Sequence, residues 1–144
     1  LVQFYCQTLL ERLESGGGDS IRAEDLKSVC GSATFRDFVI QTFMSNATPA
    51  ERAIVFAMTA AAPRRSQFSI EDIDNELSRR DLNLSFNNLN DACNNLERAG
   101  YFAKRGKNLS FTVPLFARML EENYPLEFAF KKARRECLDL HSTP

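Results

Sequence analysis

The sequence has no tryptophan, one histidine, six glycines and five prolines in 144 residues. Each scarcity excludes something. The lone histidine, His141, sits four residues from Cys137, and that pair cannot fill a tetrahedral zinc site. A catalytic Ser-His-Asp or Cys-His arrangement would have to use the same terminal histidine, where order is poor, so no catalytic residue is expected. No C-x-x-C pair occurs, and Cys6, Cys30, Cys93 and Cys137 read as reduced, structural thiols on helix faces of a cytoplasmic protein. No apolar run approaches the roughly 20 residues that span a bilayer. The N-terminal apolar stretch is broken by Gln3, Gln7, Glu11 and Arg12 and does not read as a signal peptide. Positive charge is not in excess either: 18 cations face 19 acids, a net of −1, which argues against a strong polyanion binder.

What is present is ample apolar material, 44% of residues with twelve phenylalanines, arranged mostly at helical spacing. In "LVQFYCQTLLERLESGGG" the residues Val2, Cys6, Leu9, Leu10 and Leu13 share one face, and Gly16 to Gly18 end the helix. A short helix is expected over Ala23–Val29, entered through Ile21. Phe35, Phe38, Val39, Thr42 and Phe43 then mark a third. Residues 1–47 thus form a small helical unit with a net charge of −2.

A new unit begins at "TPAERAIVFAMTAAAPRR". Thr48 is a good N-cap, Pro49 suits the first helical position, and Glu51 completes a capping box. Ile54, Val55, Met58 and Ala61 make the expected buried face, and Pro63 stops the helix. Ser69 with Asp72 starts another helix, whose Ile70, Ile73 and Leu77 face inward; Phe68 is placed to staple onto Ile73. Ser85 starts the next, with Phe86, Leu89, Cys93 and Leu96 as its inner stripe and Gly100 as its end. The period then changes from helical to alternating. "YFAKRGKNLSFTV" reads as a β-hairpin turning around Gly106, Lys107 and Asn108, with Leu109, Phe111 and Val113 on one face. Pro114 opens a helix carrying Leu115, Phe116, Met119 and Leu120. Pro125 breaks it, and a last helix offers Leu126, Phe130, Ala133, Cys137 and Leu140 as one seam. The expected fold is therefore mainly α with a small β-hairpin. It is a winged helix-turn-helix over residues 48–124, preceded by a helical unit and followed by a helix in 125–144 that packs on it.

Two stretches carry a family resemblance. "LVQFYCQTLLERL" resembles the first helix of the lid that follows the nucleotide-binding core in bacterial P-loop ATPases of the AAA+/STAND kind. "LERAGYFAKRGKNLSFTVPLFARMLEEN" is similar to the wing and following helix of the winged-helix domain found after that lid. There an alternating strand runs straight into a Pro-Leu helix, as Phe111-Thr112-Val113-Pro114-Leu115-Phe116 does here. That family's chemistry depends on a G-x-x-x-x-G-K-[ST] loop and an acidic magnesium partner. This chain has neither, and "SGGGDS" lacks the lysine and follows a helix. The resemblance implies that ATP and magnesium belong to a core upstream of Leu1, in a longer protein of which this chain, opening on Leu1 and not on Met, is a piece. No sensor arginine can be matched, so Arg12, Arg22 and Arg36 receive no role.

The helix "SFNNLNDACNNLERAG" stands where a winged helix places its DNA-reading helix, yet it holds five asparagines and one cation. Asparagine pairs with adenine edges, but affinity for DNA comes largely from Lys and Arg on phosphates. Neutral amides desolvate at lower cost than charges, which suits a protein surface. Asn87, Asn88, Asn90, Asn94 and Asn95 are the candidate interaction surface, with an inert solvent face as the equal alternative. Arg79, Arg80, Lys104, Arg105 and Lys107 are the candidate nucleic-acid contacts, and a sequence-tolerant DNA-binding winged helix is the alternative. The first half of "KKARRECLDL" is cationic, either a solvated stripe or a dock for an acidic partner, a neighbouring subunit or nucleic acid. Expected partners are the upstream ATPase core, a further protein, DNA or a second copy through the last helix, and no membrane.

Overall fold

The computed structural model describes residues 2–16 and 20–141. Glycines 17 and 18, expected to end the first helix, lie outside the described residues, as do the side chains of Val2, Arg12, Leu140 and His141. The protein is mainly helical, with eight helices and one two-stranded antiparallel hairpin among the described residues. It divides into two compact units, Leu1–Ser45 and Asn46–Pro144.

The first unit holds α1 (Val2–Gly16), α2 (Ala23–Cys30) and most of α3 (Ala33–Asn46). The Asp25 carboxylate accepts a hydrogen bond from the Arg22 backbone N–H at 2.9 Å, tying down the start of α2. Ser32 does the same for α3, its hydroxyl accepting from the Phe35 N–H at 3.2 Å. Leu9, Val29, Phe35, Val39, Ile40 and Phe43 are buried. Two expectations fail in α1: Cys6 is exposed, and Leu10 is 56% exposed. The stripe is narrower than the spacing suggests, because α2, packed against α1, is only eight residues long.

The second unit is built around α4 (Pro49–Ala61). Its capping box is complete: Thr48 Oγ1 accepts from the Glu51 N–H at 3.2 Å, and the Glu51 carboxylate accepts from the Thr48 N–H at 2.9 Å. Helices α5 (Ile70–Ser78), α6 (Phe86–Arg98), α7 (Pro114–Asn123) and α8 (Leu126–His141) all pack on it. Four neighbours leave α4 no solvent face, so every residue from Ala53 to Thr59 is buried instead of the single stripe expected. Phe56 anchors this centre, stacking on Tyr124 at 5.7 Å and meeting Phe130 edge-on at 6.3 Å. Each such buried aromatic contributes on the order of 2–3 kcal/mol.

Strands β1 (Phe102–Arg105) and β2 (Asn108–Phe111) pair with Phe102 opposite Phe111 and Arg105 opposite Asn108. The two-residue turn between them puts Gly106 at φ +62°, a conformation that glycine adopts without strain. Phe68 adds a short third rung on the far edge of β2: its N–H donates to the Leu109 carbonyl at 2.8 Å, and the Leu109 N–H returns a bond at 2.7 Å. Helix, extended rung, helix, helix, hairpin is the order of a winged helix-turn-helix. Val113, expected on the inner face of the second strand, is 51% exposed because the strand has ended and Val113 caps α7. Leu115 is likewise 37% exposed, while Phe116, Met119 and Leu120 are buried. In α8 the buried residues are Ala129, Phe130 and Ala133, with Leu126 and Cys137 half-buried. No helix among the described residues is long and apolar enough to cross a membrane.

Candidate functional site

Helix α6 starts at Ser85, whose hydroxyl accepts from the Asn88 N–H at 3.2 Å. Leu89, Ala92, Cys93 and Leu96 seal its inner face. Phe86, expected to belong to that stripe, is 68% exposed. It is the first residue of the helix, and helical side chains lean toward the N-terminus, so its ring projects past the end of the core.

The amides do not form one uniform face. Asn87, Asn88 and Asn95 are exposed, whereas Asn90 and Asn94 are half-buried. Asn88, Asp91 and Asn95 line a cavity of about 370 Å³ with Thr48 and Ala50 of the α4 start and Cys137 of α8. Asn95 is anchored there: its side-chain N–H donates to Glu51 Oε1 at 3.2 Å. The Glu51 carboxylate thus serves both the α4 cap and the amide helix. That link was invisible in sequence, where Glu51 is fully explained by the capping box. Burial pushes the Cys93 thiol up to about 12, and burial, then the Glu136 charge, raises Cys137.

The five candidate nucleic-acid contacts fall into two groups. Lys104, Arg105 and Lys107 are exposed on the hairpin, with no ion pair among the described residues. Lys104 and Lys107 border a cavity of about 440 Å³ shared with Phe86, Ile70, Leu84 and the carboxylates of Glu71 and Asp74. Arg79 and Arg80 are instead held at the other end of α5 by Glu76. Its Oε1 accepts from Arg79 at 2.8 Å and its Oε2 from Arg80 at 2.8 Å, and Arg64 approaches to 3.5 Å. Arg80 also donates to the Glu76 carbonyl at 2.9 Å and lies 4.5 Å over the Phe130 ring. Burial pushes the Glu76 carboxyl up, but the Arg80 hydrogen bond and the charges of Arg80, Arg64 and Arg79 outweigh it, and the net is below the ordinary value. The sequence spacing assigned Glu76 no role; the arginines at 64, 79 and 80 were the available signal.

No three or more His, Cys, Asp or Glu side chains among the described residues come together in a group that would hold a metal ion. Compared with protein-family models, curated proteins and solved structures, the chain matches none.

Proposed function

We propose that this chain is a non-catalytic module of a prokaryotic P-loop ATPase, a lid-like helical segment followed by a protein-binding winged helix, and that α6 presents the contact. The ATPase assignment rests on the resemblance of the two stretches alone, and one observation carries the protein contact. The outward face of α6 offers Asn87, Asn88, Asp91 and Asn95, with Arg98 alone as a cation in its last turn. Such a face gives a phosphate backbone little to bind, while its amides hydrogen-bond a protein surface at modest desolvation cost. Rigid-body movement of the winged helix with the nucleotide state of the core would relay that state to the partner.

The test uses the exposed amides, because Asn95 is also structural. Asn87→Ala with Asn88→Ala in the protein bearing the ATPase core should lower partner capture or change ATPase rate several-fold, with unchanged melting. Unchanged capture and unchanged rate would reject α6 as the contact. A second reading, duplex binding by the hairpin, is favoured by the exposed Lys104, Arg105 and Lys107. A fluorescence anisotropy titration of labelled duplex at low salt decides it: no rise removes that reading.

A further inference from the structure

A cavity of about 770 Å³ opens between the end of α5 and the start of α8, away from the amides of α6. Its wall includes Arg64, Arg79, Phe128, Lys131 and Arg134. The buried Glu76 carboxylate receives Arg80 on one oxygen and Arg79 on the other at 2.8 Å, and Arg64 reaches it only at 3.5 Å, the longest of the three pairs. Arg64, Arg79 and Arg134 keep 61%, 66% and 50% of their side chains in solvent. Among the described residues Arg134 pairs with the exposed Asp81, at 3.3 Å, and an exposed pair of this kind contributes little. The same wall carries Phe128, 62% exposed on a helix whose buried seam is Ala129, Phe130 and Ala133. Phe128 does nothing for that seam. An exposed aromatic sharing a wall with several arginines is the composition of an interface centre.

We propose that this cleft binds an acidic segment of a partner protein that carries an apolar anchor. Carboxylates of the segment bridge Arg64 and Arg79, and the anchor packs on Phe128 between Lys131 and Arg134. Guanidinium groups suit carboxylates because they offer paired donors in one plane. Nucleic acid fits less well. Asp81 and Glu127 stand in the same wall and interrupt any continuous track for phosphates, whereas a peptide places its charges discretely. The site is independent of the α6 reading and uses none of its residues.

The full 144-residue chain is titrated against the fluorescein-labelled peptide Glu-Asp-Leu-Phe-Asp-Glu. Two controls separate the contributions: Gln-Asn-Leu-Phe-Asn-Gln lacks the charge, and Glu-Asp-Ser-Ser-Asp-Glu lacks the anchor. An oligothymidylate of equal charge probes nucleic acid. The acidic, anchored peptide should bind roughly tenfold tighter than either control and than the oligothymidylate. Phe128→Ala, Arg64→Gln and Arg79→Gln should each weaken it roughly tenfold, the first two with unchanged melting, while Asn88→Ala leaves it intact. Equal affinity for the neutral peptide, no binding up to about 1 mM, or indifference to Phe128→Ala and Arg64→Gln would overturn the proposal. Tighter oligothymidylate binding that Arg64→Gln abolishes would also overturn it, by reassigning the cleft to nucleic acid.

Discussion

Glu76 shows how one side chain decides what its neighbours are free to do. By sequence Arg79 and Arg80 are a basic pair at a helix end, well placed for phosphate. In the structure they share a carboxylate that is only 12% exposed, and Arg80 is pinned between it and the Phe130 ring. Glu76→Gln should therefore destabilise the protein by about 2 kcal/mol near neutral pH, because it leaves arginines without their partner at a partly buried site. The pH dependence has a definite sign. The folded carboxyl lies below its ordinary value of 4.5, so the folded state binds the proton less readily than the unfolded chain does. Its contribution is fully present above 4.5 and is lost as pH falls through the lower folded value. Asp72 acts in the same direction, lowered by the Ser69 backbone N–H and by Arg65. Urea midpoints of wild type and Glu76→Gln should differ clearly at about pH 7 and draw together as the pH is taken into the acid range. A gap that persists undiminished in acid would show that the charge on Glu76 is not what the arginines require.

At the scale of an element, α6 makes a sharp contrast between two residues on what looks like one stripe. Leu89 is almost fully buried, and Leu89→Ala should cost about 3 kcal/mol. Phe86→Ser, at the exposed first position, should cost under about 0.5 kcal/mol. Thermal melts of the two variants check this, and comparable losses would mean that α6 is rotated about its axis. The contrast also marks what the sequence discloses. Spacing finds every helix and the hairpin, because period and caps are local properties: Thr48, Ser69 and Ser85 all cap as their sequence context implies. Spacing does not tell where the core stops covering an element. Hence Phe86, Val113 and Leu115, at helix and strand ends, and Leu10, midway along α1, are assigned inward although each is largely or partly exposed. Nor does it register the Phe68 rung, since a single residue has no period, or the Asn95–Glu51 bond, which joins residues 44 apart. The amides were legible as a cluster; their division into exposed, half-buried and anchored members required α4 and α8 to be in place.

For the molecule as a whole, the division at 45/46 makes a claim about folding. The core of the second unit is drawn from its own elements: Ile54, Phe56 and Met58 of α4, Leu77 of α5, Leu96 of α6 and Leu120 of α7 are all almost fully buried. The Thr48 capping box that starts its central helix also lies within it. A chain of about 100 residues with one such core is large enough to fold alone. Residues 46–144 produced alone should therefore unfold in one cooperative transition, with equal calorimetric and van't Hoff enthalpies. A broad melt with early dye binding to apolar surface would show that the helices before Asn46 complete this core. Autonomy matters to the functional reading. A unit that holds its shape by itself can carry the α6 amides, the hairpin cations and the α5–α8 cleft as a rigid set, so that a displacement imposed at Asn46 moves all three together. A unit that melts when severed would transmit the same displacement as loosening. The calorimetric ratio for residues 46–144 therefore separates movement of a rigid body from a change in order as the way this module would signal.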